Sequence, residues 1–193
     1  MNAKKKTLAA SFGVLAVTAL LVGCSSKSAD TGDGGDAAAA SDVKTGIGIS
    51  GDTMTIAALT DQSGPYAALG GTLAQGNQLY FDKRNAEGGI CGYNVELVVR
   101  DHGNDVQTAV SAFSELEPNV LAFTQLLGSP QVNALKGEIE AKSIPTFIAS
   151  WSSDFLGSDP IALTGTIYPY DIINGLSVLE EEGVISSGSK VGH

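Results

Sequence analysis

Basic side chains are scarce in this 193-residue sequence: 11 Lys and Arg stand against 21 Asp and Glu, a formal net charge of −10. No basic stripe is present to meet phosphates, which excludes nucleic acid as a partner. Cysteine is nearly absent, and Cys24 and Cys91 alone cannot build a disulfide framework. Histidine is equally rare. His102 follows a strand and His193 is the last residue, so no cluster supports Cys91 as a metal ligand or nucleophile. No metal and no cofactor are therefore expected. Charged residues make up 17% and hydrophobic residues 43% of the chain. The hydrophobic fraction is ordinary for a globular protein, charged residues are sparse, and the length suits one domain better than two.

What is present begins with a targeting segment. Lys4, Lys5 and Lys6 form a basic start, and Leu8 to Leu21 is apolar but too short and too rich in small residues for a membrane span. Leu21-Val22-Gly23-Cys24 closes it and looks like a bacterial lipobox. Residues 1–23 then read as a lipoprotein signal peptide. Cys24 becomes the lipid-modified N-terminus, anchored on the outer face of the cell membrane. A plain signal peptide with an incidental cysteine is the alternative. Residues 24–52 are dominated by Ser, Gly, Asp and Ala and read as a flexible tether. Gly46 to Gly51 matches the G-x-G-x-x-G pattern of dinucleotide sites, but a linker precedes it and a strand follows, the wrong context. The acidic residues from Asp30 to Asp36 lack the spacing of a calcium loop.

The folded part is organised around Asn119 to Gln131. Val120 to Phe123 reads as a strand buried on both faces. Gly128 permits a tight turn, Ser129 suits a helix N-cap and Pro130 the first helical position, and Val132, Leu135 and Ile139 follow at helical spacing. A helix start of this kind favours a carboxylate, although an ordinary capped helix is the simpler reading. Before it, Met54–Leu59 reads as a strand, 61–66 as a turn-rich loop, Ala67–Asn85 as a helix stopped by Gly88 and Gly89, and Asn94–Arg100 as a strand. Asn104 or Asp105 can cap a helix whose stripe is Val106, Ala109, Val110, Phe113 and Leu116. After it come Pro145–Ala149 as a strand, Ile161–Ile167 as a weaker strand, and Tyr170–Glu182 as a helix with Ile172, Ile173, Leu176 and Leu179 apolar.

Strand and helix in alternation imply an α/β fold, a doubly wound, mostly parallel sheet with helices on both faces. Loops leaving the C-terminal strand ends then share one rim. They bring Ser63 and Tyr66, then Leu127, Gly128 and Ser129, then Ser150, Trp151 and Ser152. Hydroxyls, turn N–H groups and two aromatic rings suit a small polar solute with an apolar part, and no catalytic residue is expected. Asp61 and Asp101 end strands and could serve an α/β enzyme as acid and base, but such residues more often bond the backbone of a turn.

The run Asp61-Gln-Ser-Gly-Pro-Tyr-Ala-Ala-Leu-Gly70 resembles the first ligand loop of the branched-chain amino-acid (leucine/isoleucine/valine) binding proteins. These are solute receptors of ABC importers with the type I periplasmic-binding fold. Asn85-Ala-Glu-Gly-Gly-Ile90 and Val95 to Asp101 resemble that family's first-helix ending and second strand. The resemblance spans about Met54 to Glu182. It implies that Ser129 with its neighbouring N–H groups holds a ligand α-carboxylate, that Ser150 and Ser152 serve the ammonium and carboxylate, and that Tyr66 lies beside the side-chain pocket. Trp151 departs from the small residue usual there, and either meets ligand or packs between lobes.

That family has two lobes that close around solute. Residues 53–185 correspond to the first lobe, and 186–193, with Lys190-Val191-Gly192, to a crossover toward a second. The resemblance thus implies a truncated chain offering half a site and binding solute weakly or not at all. Cys91, with no cluster to make it a ligand or nucleophile, is expected to be buried or paired with a cysteine in the other half. The function expected is capture of an amino acid or amide-like solute for an ABC permease. A sensory module of the same fold and an α/β enzyme are the alternatives.

Overall fold

Residues 45–192 are described by the computed structural model of the chain. The expected signal peptide, Cys24 and the tether up to residue 44 lie outside the described residues. Strand and helix alternate as the hydrophobic pattern predicts: β1 (Ile49–Ser50), β2 (Thr53–Thr60), α1 (Ala67–Ala86), β3 (Asn94–Asp101), α2 (Val106–Leu116), β4 (Ala122–Leu127), α3 (Ser129–Lys142), β5 (Thr146–Ala149), β6 (Ile161–Leu163) and α4 (Tyr168–Glu181). Local chemistry sets the boundaries. The Asp105 carboxylate accepts the Thr108 N–H at 2.7 Å and starts α2. Gly88 and Gly89, both at positive φ, end the turn that closes α1.

β2 pairs in parallel with β3 on one edge and β4 on the other, and β5 and β6 continue the parallel sheet beyond β4. The order β3-β2-β4-β5-β6 reverses direction between β2 and β4. In such sheets the crevice outside the strand ends at that reversal is where ligands bind. β1 is antiparallel to β2, and because β3 pairs along the whole of β2, β1 occupies the same edge as β4.

Alternation along β2 sends Met54 and Ile56 to one face, where they pack with Phe81 of α1, Tyr93 and Val95. Ala57 and Leu59 reach the other, against Phe113 of α2, Val132, Leu135 and Ile139 of α3, and Phe123. Phe113 and Phe123 stack with centroids 4.8 Å apart. The sheet therefore carries α1 on one face and α2 and α3 on the other, as the α/β reading requires.

Four expectations change. The tether does not extend to residue 52, because Ile49–Ser50 forms a hairpin with β2 and the Gly48 carbonyl accepts the Thr55 N–H at 2.7 Å. The third parallel strand runs from Ala122 to Leu127 rather than from Val120 to Phe123. Polar Thr124 and Gln125 disguised it. Gln125 is buried, yet its amide donates to Thr60 Oγ1 at 2.6 Å and accepts from Asn77 Nδ2 at 3.0 Å, so the sheet tolerates it. Asn77→Ala should accordingly leave the Gln125 carbonyl unpaired and lower stability by about 1–2 kcal/mol, read as a lower urea midpoint at unchanged m.

The strand expected at Ile161–Ile167 stops at Leu163, and Thr164 instead donates its hydroxyl to the Ile148 carbonyl at 2.9 Å. Finally, α4 forms where its pattern predicts but packs on neither face of the sheet. None of its residues is buried, and Ile172 and Ile173 are more than half exposed. The boundary of the expected lobe at residue 185 therefore includes a helix that adds nothing to its core.

Candidate functional site

The loop after β2 is built by one side chain. Asp61 is fully buried, and its carboxylate accepts the backbone N–H groups of Ser63 (3.2 Å), Gly64 (2.5 Å) and Tyr66 (2.8 Å). An Asp bonding forward along its own backbone folds the loop tightly and delivers the chain into α1. Gly70 completes the join, since a Cβ there would overlap the Asp61 carbonyl. Tyr66, just before α1, is left 53% exposed at the rim.

Asp101 does the same work at the end of β3, accepting the N–H groups of Gln62 and Gly103, each at 2.8 Å. The Gln62 N–H above all, with the Ser63 hydroxyl and the Gly103 N–H, holds its carboxyl below the usual carboxylate range against a smaller opposing effect of burial. The two candidate acid–base residues are thus loop organisers.

At the end of β4 the chain turns through Gly128, with φ 103°, a region L side chains rarely adopt. Gly128, not Ser129, is the N-cap of α3, and Ser129 is already helical and makes no capping bond. Its hydroxyl is instead 2.6 Å from the hydroxyl of Ser150, which leaves the end of β5 with 1% exposure. Pro130 follows, and no acidic residue stands in the first turn of α3. Two hydroxyls and the positive end of a helix dipole therefore converge beside the strand reversal.

Beneath this turn lies a buried polar layer. Gln131 is fully buried in α3, and its amide N–H donates to the Asn104 carbonyl at 3.0 Å. The Asn104 N–H donates to Nδ1 of His102 at 3.0 Å, so the imidazole is neutral with its proton on Nε2. His102 is 2% exposed. Burial pushes it below the ordinary imidazole value. Asp61, Asp101, the Leu127 carbonyl and Asp105 pull in the opposite direction and do not win.

Residues 53–181 match the sequence profile of the periplasmic binding protein family. The chain belongs to that family. A fatty acid ABC transporter substrate-binding protein from Thermomonospora curvata is 44% identical with a TM-score of 0.78, over 79% of this chain and 39% of its own. A substrate-binding periplasmic protein from Ralstonia solanacearum is 26% identical with a TM-score of 0.62, over 68% and 38%. The branched-chain amino acid substrate-binding protein LivJ from Streptococcus pneumoniae, in complex with isoleucine, is 28% identical with a TM-score of 0.53, over 60% and 34%. The chain thus spans less than two fifths of the length of these structures. No curated protein matches it.

Within this periplasmic binding protein the residues predicted for the site divide. Ser129 and Ser150 are brought together. Tyr66 and Ser63 share the β2 loop, but Ser63 lends its hydroxyl to Asp101. Leu127 is buried at the end of β4. Ser152 is turned to its own loop, where its hydroxyl donates to Asp154 Oδ2 and accepts the Asp154 N–H. Trp151 packs edge-on against Tyr168, centroids 6.1 Å apart, with its buried indole N–H unpartnered and lying over Gly165. Cys91 is exposed in a turn at φ 52°, which overturns the expectation that it is buried. An apolar cleft of about 540 Å³ among Ile47, Leu121, Ile144 and Pro145 contains none of the predicted residues.

Sequence reasoning passed over Gln131 and the role of His102. A signal existed for the first: Gln131 stands four residues before Leu135 and eight before Ile139, on the stripe that faces the core.

Proposed function

We propose that this chain is the solute-capturing part of an ABC importer's binding protein, holding the carboxylate of a solute with an apolar body. The hydroxyls of Ser129 and Ser150 and the start of α3 receive the carboxylate, while Tyr66 and Trp151 face the apolar part. Capture involves no covalent chemistry and is completed by closure against a second lobe, after which solute passes to the permease. The observation that carries the reading is the 2.6 Å hydroxyl pair at an acid-free helix start, beside the strand reversal. A relative named for fatty acids and one holding isoleucine support it, because the two solutes share a carboxylate and an apolar tail.

Localisation belongs to the same proposal. Leu21-Val22-Gly23-Cys24 supports removal of residues 1–23, lipid on Cys24, and a tether of about twenty residues holding the lobe off the outer membrane surface. Cys24→Ser should abolish the lipid-modified mass.

The binding test is an NMR titration of the chain with octanoate and with isoleucine, a method that detects even millimolar dissociation constants, binding free energies of about −4 kcal/mol. Shifts concentrated at the Gly128, Ser129 and Ser150 amides are expected. Ser150→Ala removes one hydrogen bond to a charged group and should weaken binding roughly tenfold. Shifts confined to other faces, or none with either solute, would overturn the reading.

A further inference from the structure

His102 occupies a position that the carboxylate site does not explain. It is buried where the ends of β2, β3 and β4 meet, and its backbone N–H donates to the Thr60 carbonyl at 2.8 Å. The groups facing it are Asp61 from the β2 loop, Asp101 from β3, the Leu127 carbonyl from β4 and Asp105 from the start of α2. Its ring makes one hydrogen bond of good geometry, as an acceptor, and that bond comes from a residue under backbone strain: Asn104 has φ 63°. Nε2 has no partner of good hydrogen-bond geometry, although the Leu127 carbonyl lies near enough to favour a ring proton. Asn104 in turn holds the Gln131 amide at 3.0 Å. The Gln131 carbonyl, unpartnered itself, fills the space a Cβ on Gly128 would need. One uninterrupted series therefore runs from the imidazole through Asn104 and Gln131 to the turn that presents Ser129.

We infer that His102 is a positioning residue for the carboxylate turn, acting only as the neutral imidazole, so that solute capture weakens when His102 takes up a proton. The inference rests on the proposed function for its effect on solute, but its structural part stands alone. A protonated Nδ1 is a donor and would confront the Asn104 N–H, also a donor, at 3.0 Å. That bond is lost, and the left-handed Asn104 keeps only its carbonyl contact to Gln131 and the Asp105 N–H to His102 carbonyl bond that closes the turn. The Gln131 amide then loses its fixed acceptor, and the Gly128–Ser129 turn is no longer held from below. Three carboxylates around the ring give the imidazolium an alternative orientation, so the charged form has somewhere to turn. The direction agrees with burial holding His102 below the ordinary imidazole value of about 6.5: unfolded chains bind the proton first, so stability present above that pH is lost as pH falls.

The test follows the amides of Gly128, Ser129 and Gln131 and the ring proton of His102 by NMR in the unliganded chain, between neutral and mildly acidic pH. The second histidine, His193, is told apart because the His102 signal disappears in His102→Asn. Expected is a common midpoint for the ring and the three amides, and loss of the amide titration in His102→Asn, whose carbonyl keeps an acceptor for Asn104. His102→Gln offers the same acceptor on a longer arm should the first variant fail to fold. Amides that stay still while the ring titrates would overturn the inference, whatever the solute. With octanoate or isoleucine as probe, the apparent dissociation constant should rise about tenfold per pH unit below that midpoint, and the rise should vanish in the variant. A probe bound equally on both sides of the midpoint would also overturn it. Absence of binding at every pH would count against the proposed function alone and leave the amide titration to decide this one.

Discussion

Asp61→Ala is expected to lower the unfolding free energy by on the order of 3–6 kcal/mol, because it strips the acceptor from three N–H groups at once and each unpaired donor costs about 1–3 kcal/mol. The three are those of Ser63, Gly64 and Tyr66, and Asp61 itself is fully buried, so water does not replace the carboxylate at once. The damage extends past the loop. Gly70 packs its bare Cα against the Asp61 carbonyl, so a loosened loop also loosens the first turn of α1 against the sheet. Asp61→Asn separates the contributions. It keeps one oxygen to accept, but its amide nitrogen now faces N–H groups, and it should fall between alanine and the native chain. Urea unfolding gives the comparison. A loss below about 1 kcal/mol for Asp61→Ala would mean that another group organises the loop. Where the variant still folds, Tyr66 should lose its fixed place at the rim, and shifts induced by octanoate at the β2 loop should fade.

The same residue shows how far a sequence speaks. Asp61 could be read as an acid–base group or as a turn organiser, and nothing local separates the two. The three N–H groups decide it, and they become visible only when Ser63 to Tyr66 curl back on the carboxylate. Periodicity, by contrast, needs no third dimension. The alternation of Val95, Leu97 and Val99 and the stripe of Ala109, Phe113 and Leu116 placed β3 and α2 nearly to the residue, and alternation of strand with helix gave the parallel sheet.

Periodicity failed where polar groups are satisfied across the fold. β4 looked shorter than it is because Gln125 is polar, and its partners are Thr60, 65 residues away, and Asn77, 48 residues away. α4 illustrates the converse. Its apolar stripe formed a helix, but an apolar stripe states only that something is to be covered, not that this sheet covers it. In the site, gathering Ser129 and Ser150 on one rim followed from topology alone. The diversion of Ser152 into its own turn depended on side-chain directions that loop residues do not encode locally.

Gly128→Ala should remove about 3 kcal/mol of stability and most solute affinity together. Two effects add. At φ 103° and ψ 129° an L residue is strained, which alone amounts to roughly 1–3 kcal/mol. The new methyl would also overlap the Gln131 carbonyl, and Gln131 is fully buried with its N–H fixed on Asn104, so it has little freedom to swing aside. The chain relieves both by rotating the turn, and the turn is what sets the Ser129 hydroxyl 2.6 Å from that of Ser150. Gly137→Ala is the matched control in the same helix. A Cβ there meets nothing within 4 Å, the residue is exposed, and an alanine in a helix interior gains about 0.5–1 kcal/mol over glycine. The identical chemical change at these two glycines of one segment should therefore carry opposite signs in urea unfolding, and only the first should abolish octanoate-induced shifts at Ser129 and Ser150. Equal affinity in the two variants would mean that the carboxylate does not use this turn, because strain at Gly128 cannot be relieved without moving Ser129.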